Sequence, residues 1–264
     1  MVSALFAAPG VSIHDRDHPR IIRLRICGAT LATAISLVLT AFLLSVWQQP
    51  TKEDQAQWNV VELLGLSIRD AGASVVVALV LTMALYLGPL VLDKLDGAFR
   101  SESLKRIPEA MRQPSSIRNY IVGPITEELV FRSAVLALWT AADIDTNRRV
   151  FLSPLIFGVA HVHHAITSYR SGSPLSAVAL STCFQFAYTT LFGWYAVFLY
   201  VRSKSVVGPI VAHSFCNIQG LPDVSRISQY PQYRYAIWAA FVAGAVAFIL
   251  LIEPMTRPGV FISE

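Results

Sequence analysis

Charge is what this chain has least of. Lysine, arginine, aspartate and glutamate together make up 14% of its 264 residues, against about 25% in soluble globular chains. Hydrophobic residues reach 54% and the mean hydropathy is +0.53, so too little polarity is left to cover a water-soluble surface. That scarcity excludes a disordered chain, a coiled coil and an ordinary cytosolic enzyme. It points to an integral membrane protein of several spans. Cysteine is scarce as well: Cys27, Cys183 and Cys216 are odd in number, lie in apolar stretches and form no Cys-x-x-Cys pair. They read as small buried side chains, not as a disulfide framework. No basic tract with interleaved aromatics exists, so the net charge of +4 does not suggest a nucleic-acid partner. There is no internal repeat, no Gly-x-Ser-x-Gly elbow, no Gly-x-x-x-x-Gly-Lys phosphate loop and no His-Glu-x-x-His pair.

What is present falls into apolar spans between polar loops. Residues 1–11 are mildly apolar but no basic residue precedes them, while His14, Asp15, Arg16, Asp17 and Arg20 follow. A cleaved signal has the opposite order, so the first span, 26–47, is expected to act as its own uncleaved targeting signal. It holds about 22 residues without a charge, enough to cross the hydrocarbon core. The polar loop 48–70 leads to a second span at 73–92. Residues 93–118 form the most charged stretch, and the positive-inside rule places both it and the arginine-bearing N-terminus in the cytosol. Leu95, Phe99 and Leu104 suggest that part of it lies along the membrane surface as an amphipathic helix. Further spans are expected at 120–140, 150–166, 175–201, 205–221 and 235–252.

The expected architecture is all-α, a polytopic transmembrane bundle of about seven to eight helices around a polar intramembrane chamber. Its expected divisions are a cytosolic N-terminal arm (1–25), two N-terminal transmembrane helices (26–92) and a cytosolic basic loop (93–118). A catalytic helical core (119–222) and a C-terminal helix with its tail (223–264) complete the chain.

Three spans carry ionisable groups at membrane depth, where each charge costs about 2.5 kcal/mol or more. In Gly123-Pro-Ile-Thr-Glu-Glu-Leu-Val-Phe-Arg132, Glu128 and Arg132 are four apart and can neutralise one another on one helix face. Glu127 is turned about 100° away and has no evident partner on its own helix. Pro124 suits a first helical turn, which would put both acids near a positive helix end. In Phe157-Gly-Val-Ala-His161-Val-His-His164, His161 shares a face with Phe157, and His163 and His164 fall nearer the interface. In His213-Ser-Phe-Cys-Asn217, the imidazole and the carboxamide project together and can donate two hydrogen bonds to one oxygen. Traced through alternating spans, all four groups reach similar depth near the cytosolic side. Arg148, Arg149, Arg202 and Lys204 then fall on the opposite side, against the charge rule. Each of the three spans also holds a proline (Pro124, Pro154, Pro209), and broken helices at membrane depth are tolerated where they line a cavity.

This set suits acyl-bond hydrolysis. Glu127, with His161, would take a proton from water, and His213 with Asn217 would stabilise the oxyanion. A zinc reading on Glu127, His161 and His213 stays open beside it. So do a proton or solute pathway built on the same buried groups and a non-catalytic scaffold.

Glu127-Glu128-x-x-x-Arg132, Phe157-x-x-x-His161 and His213-x-x-x-Asn217, in this order, resemble the three motifs of the CAAX protease and bacteriocin-processing family of membrane proteins. The stretch Phe184-Gln-Phe-Ala-Tyr-Thr-Thr-Leu-Phe-Gly193 brings the match closer to its eukaryotic type II CAAX prenyl endopeptidase (Ras-converting) branch. The resemblance covers residues 119–222. It implies an endoplasmic reticulum enzyme whose chamber faces the cytosol and which removes the last three residues of prenylated Cys-a-a-X proteins, such as Ras-type small GTPases. It implies catalytic roles for Glu127, His161, His213 and Asn217, supporting roles for Glu128 and Arg132, and no cofactor. Phe184, Phe186, Tyr188 and Phe192 are the expected apolar lining for the prenyl chain.

Overall fold

A computed structural model describes residues 17–47, 59–257 and 259–261. Most of the expected N-terminal arm, the loop 48–58, the last residues of the tail and the side chains of His163 and His164 lie outside the described residues. Among the described residues every regular element is helical. Helix α1 is Pro19–Trp47. Ala71–Leu85 (α2) and Leu87–Leu95 (α3) follow, then Ser101–Arg112 (α4). A long helix, α5, runs over 114–141. Thr146–Ala160 (α6), His163–Arg170 (α7), Leu175–Ser203 (α8), Val207–Gln219 (α9) and Arg234–Ile252 (α10) follow, with a single helical turn at Val60–Leu63 and short 3-10 turns between and after them.

Four helical stretches are long and apolar enough to cross a bilayer: Pro19–Trp47, Thr146–Arg170, Leu175–Ser203 and Pro231–Ile252. A fifth exists if α2 and α3 are taken as one span, and they meet at an angle of 71°. The span expected at 73–92 is therefore bent, with Tyr86 at the break. The figure of seven to eight helices is not reproduced as seven to eight crossings. Helix α9 has 13 residues, about 20 Å, and is too short to span about 30 Å of hydrocarbon alone. Helix α5 falls short for another reason: it carries Arg118, Glu127, Glu128 and Arg132.

The outside of the bundle is apolar. Leu31, Val38, Phe42, Val242, Ile249 and Leu250 are all exposed on α1 and α10, an apolar belt suited to a lipid surrounding. Cys27 and Cys183 belong to that exposed surface, while Cys216 is half-buried. Only the last fits the expectation of an interior thiol, because helix rotation turns the first two outward. The centre is where polar groups gather: Thr82, Glu128, Arg132, Ser133 and His213 are buried.

Helix α5 is not the simple helix that Pro124 suggested. It begins at Pro114, and two π-helical stretches, Arg118–Val122 and Leu129–Ala134, flank the α-helical turn Gly123–Glu128. The wide turn before Pro124 spends its last hydrogen bond from Gly123 N–H to the Arg118 carbonyl, so the proline ring sits in the helix interior without breaking it. The acids are thus several turns from the helix start, and the macrodipole contributes little to them.

Small residues let the central helices approach closely. Helix α9 lies against α2 at Gly208, where an added Cβ would come 2.3 Å from Ser74 Oγ and 3.0 Å from the Ser74 carbonyl. Helix α8 lies against α6 at Gly193, where a Cβ would meet Pro154 Cβ at 2.7 Å. A buried hydrogen bond from Ser74 to Ser203, 3.1 Å, ties α2 to α8 nearby. Below the bend, Tyr195 and Thr82 share a second contact at 3.0 Å. At one end of the bundle Arg226 pairs with both Asp93 and Asp96, and Tyr230 donates to Asp96. The Tyr230 hydroxyl and the Arg226 guanidinium hold the Asp96 carboxyl below the usual carboxylate range. This cluster fastens the segment after α9 to the end of α3.

Gly208→Ala is expected to force α2 and α9 apart and to cost about 1–3 kcal/mol, the range for overpacking a close contact. Gly28→Ala, where nothing lies within 4 Å of the added Cβ, is the control. Thermal unfolding of the detergent-solubilised protein should show a lowered midpoint for the first and none for the second.

Candidate active site

The site is built outward from a buried ion pair on α5. Glu128 and Arg132 are almost fully inaccessible, and Arg132 Nε lies 3.0 Å from Glu128 Oε2. The pair is one of charge: none of the three guanidinium nitrogens makes a hydrogen bond to an acceptor among the described residues. Aromatic faces stand in: the guanidinium lies 4.5 Å from the Phe157 ring centroid and 5.8 Å from that of Phe192. A cation over a ring quadrupole is stabilised most where water is absent. The sequence-level expectation that these two residues neutralise one another matches this geometry.

The second Glu128 oxygen holds a histidine. His213 Nδ1 lies 2.7 Å from Glu128 Oε1. Glu128 is balanced by Arg132, so its carboxylate accepts, and Nδ1 carries the proton. That leaves Nε2 pointing the other way, 3.8 Å from Glu127 Oε2. Glu127, one residue along the helix, keeps 38% of its side chain accessible while Glu128 keeps none. The rotation of about 100° per residue therefore gives the two adjacent acids different environments. One is locked behind His213, and the other faces the open space in front of it.

His161 closes the other side. It caps α6, and its Nδ1 lies 2.8 Å from the Phe157 carbonyl. A carbonyl can only accept, so Nδ1 is the protonated nitrogen and Nε2 is the basic one of the neutral ring. Phe157 is the common neighbour of the whole set. Its ring centroid is 4.7 Å from that of His161, 6.2 Å from His213 and 5.1 Å from Phe131. Phe192 packs on the far face of His213 at 4.8 Å. Asn217, one turn beyond His213, is held by its amide nitrogen donating to the Asn119 carbonyl at 2.9 Å.

These groups line one cavity of about 710 Å³. Glu127, His161, His213 and Asn217 all reach it, so four residues spread over some ninety positions of sequence are brought together. Glu128 and Arg132 stand behind its wall. Of the expected apolar lining, Tyr188 and Phe192 face the cavity; Phe184 and Phe186 are not part of its lining. Helical geometry explains the split: Gln185, Tyr188, Phe192 and Tyr195 share one stripe of α8 and line the cavity. Phe184 lies outside that stripe and is exposed, and Phe186 faces Gly158 of α6.

Several lining residues escaped sequence reasoning: Thr82 and Tyr86 at the α2–α3 bend, Gln185 and Tyr195 on α8, and Phe248 on α10. The signal available for Tyr86 was its place just before Gly88-Pro89 in an otherwise aliphatic run. Its hydroxyl donates to the Gly220 carbonyl at 3.2 Å, which ties the bend to the end of α9. Among the described residues no three His, Cys, Asp or Glu side chains are gathered to hold a metal. Glu127, His161 and His213, the set that the sequence left open for zinc, share the cavity without forming such a group.

Residues 113–219 match the family model described as type II CAAX prenyl endopeptidase Rce1-like. The chain is 33% identical over 254 residues to CAAX prenyl protease 2 of Homo sapiens, covering 93% of this chain and 75% of that protein. It is 35% identical over 256 residues to CAAX prenyl protease 2 of Arabidopsis thaliana, covering 90% and 78%. With CAAX prenyl protease 2 of Caenorhabditis elegans it is 33% identical over 249 residues, covering 93% and 89%. The chain belongs to the type II CAAX prenyl endopeptidase family. No solved structure matches it significantly. As a member of that family it is a CAAX prenyl endopeptidase, and its long apolar helices make it a multi-pass membrane protein.

In this endopeptidase the ion pair behind the cavity should be hard to break from one side. Arg132→Met leaves Glu128 buried without its cation, a change that costs about 3–5 kcal/mol in comparable buried pairs. Adding Glu128→Gln removes the stranded charge and should recover part of that loss. Thermal unfolding of the wild type, Arg132→Met and the double variant reads both effects; a double variant less stable than Arg132→Met would count against the pairing.

Proposed function

We propose that this chain cuts the peptide bond after a prenylated cysteine in proteins ending in Cys-a-a-X, releasing the -aaX tripeptide, with Glu127 as general base. The observation that carries this reading is the pair formed by Glu127 and His213 Nε2 across 3.8 Å at the cavity wall. One group is suited to take a proton and the other to give a hydrogen bond.

Glu127 removes a proton from water, and the basic Nε2 of His161 accepts the water's second hydrogen bond. The hydroxide adds to the scissile carbonyl. The resulting oxyanion accepts hydrogen bonds from His213 Nε2–H and the Asn217 amide, which stabilise charge that exists only in the transition state. Glu127 then passes its proton to the departing amine. His213 donates from Nε2 only as the imidazolium, since Nδ1 is committed to Glu128. Glu128, itself held by Arg132, keeps the His213 ring turned so that Nε2 faces the cavity.

The substrate fits the same cavity in two parts. The peptide reaches Glu127 and His213. The prenyl chain, worth about 0.8 kcal/mol per buried methylene-sized unit, takes the apolar flank at Tyr188 and Phe192. Ras-type small GTPases are one substrate class of this kind, and no cofactor takes part. The cavity mouth faces the cytosol from the endoplasmic reticulum membrane. Arg118, paired with Asp17 at 3.3 Å, and Lys105, Arg106 and Arg112 are the basic residues that the positive-inside rule assigns to the cytosol.

The test is tripeptide release from a farnesylated Cys-a-a-X peptide by the purified protein. Glu127→Gln should lower kcat by about 10²–10⁴, and Asn217→Ala by about 10²–10³, with little change in KM. Full activity in Glu127→Gln would sink the assignment. A strong chelator should leave the wild type unaffected; loss of activity restored by zinc would replace the glutamate mechanism with a metal one. Solute or proton flux through sealed vesicles without cleavage would support the transport reading instead.

A further inference from the structure

Helix α4, Ser101–Arg112, takes no part in the cavity, and none of its residues is buried. Residues 101–110 are exposed throughout, yet the helix is sharply two-faced. Leu104, Ile107, Pro108 and Met111 follow the i, i+3, i+4, i+7 spacing that makes one continuous stripe. Leu104 and Ile107 are 43% and 50% exposed, and Phe99 just before the helix is 53% exposed. Among the described residues nothing buries Leu104, Ile107 or Pro108, and Met111 at the end of the stripe is half-buried.

The polar residues are sorted around it. At about 100° per residue, Glu102 and Glu109 fall on the pole opposite the stripe, with Arg106 between them. Lys105 and Arg112 fall along one edge of the stripe, and Ser103 and Ala110 along the other. The Ser103 hydroxyl is turned back to the Gly97 carbonyl at 3.1 Å. Cations at the boundary of an apolar face, with acids held away from it, form the pattern of a helix lying in a membrane interface. Long basic side chains there reach headgroups while their stems stay in apolar surroundings. Pro108 leaves the Leu104 carbonyl without its helical donor, a defect tolerable where headgroups and water can supply one.

The place of the helix in the chain names the occupant. It follows the bent span α2–α3 and is separated by Gln113 alone from α5, which carries Glu127. Asn119, near the start of α5, holds Asn217 at the cavity. The surface within reach is therefore the leaflet beside the cavity mouth. We propose that α4 docks on this leaflet with Leu104, Ile107 and Met111 immersed and with Lys105 and Arg112 engaging anionic lipid headgroups. Anionic surfaces attract juxtamembrane basic residues in this manner.

The experiment uses the full chain in vesicles, with Cys27, Cys183 and Cys216 replaced by serine and one environment-sensitive fluorophore on Ile107→Cys or Glu109→Cys. The fluorophore at 107 should emit to the blue and be quenched by brominated lipid; the one at 109 should be quenched by aqueous iodide. At equal bromine content, brominated phosphatidylserine should quench position 107 roughly twofold more than brominated phosphatidylcholine. Lys105→Gln with Arg112→Gln should erase that excess while leaving the emission blue. Iodide reaching 107 as readily as 109 overturns the docking. Equal quenching by the two lipids overturns the headgroup preference. Protection of 107 from both quenchers that grows with protein density assigns the face to a second copy of the chain, and overturns the proposal as well.

Discussion

A buried carboxylate that must serve two partners at once is the constraint around which the centre of this protein is arranged. Glu128 gives one oxygen to Arg132 and the other to His213, in a region where an unpaired charge has no water to turn to. Each partner is then positioned by further neighbours. Arg132 lies against Phe157 and Phe192, the His213 ring packs on Phe192, and Phe157 reaches His161. The close approach of α8 to α6 at Gly193 and of α9 to α2 at Gly208 keeps these aromatic and charged groups within reach of one another. A bilayer protein cannot rely on water exclusion to join its helices, since lipid is as apolar as leucine. Close packing at small residues and a few buried polar contacts between helices take that role here.

The same arrangement separates two chemically identical neighbours. Glu127 and Glu128 differ by one residue, and the helix turns one toward the cavity and the other toward the ion pair. This leaves one carboxylate open to the cavity and fastens the other between Arg132 and His213. Adjacent acids in a membrane span would otherwise repel at high cost. The π-helical stretches on both sides of Gly123–Glu128 occur where the backbone must admit Pro124 and still aim both side chains. Such stretches concentrate at functional sites, and here they flank the turn that carries Glu127 and Glu128.

Legibility in the sequence followed the reach of local rules. The Glu128–Arg132 pair and the common face of His213 and Asn217 were readable because i, i+4 spacing on a helix fixes proximity. The membrane class was readable from charge scarcity. Less was readable where an outcome depends on rotation or bending against distant elements. Phe184 and Phe186 share the composition of Tyr188 and Phe192, and only the docking of α8 on α6 and α9 decides which of them line the cavity. The bend at Tyr86 lies in a run that hydropathy treats as uniform, and the count of crossings turns on that bend and on the short helix α9. The expected helix start at Pro124 failed because a π turn removes the conflict that usually ends a helix at proline.

By itself, the sequence determined that this is a helical membrane protein and which polar residues the bilayer would not tolerate without a purpose. The ordered spacing of those residues was enough to point to their family. Tertiary structure alone decided that His213 stands between two glutamates, that its Nδ1 is committed to Glu128, and that Glu127 is the acid left facing the cavity. The physical reason is one of range. Helical periodicity constrains side chains within a turn or two. Which carboxylate meets a histidine from a helix some eighty-five residues away depends on how whole helices pack, and no local pattern encodes that.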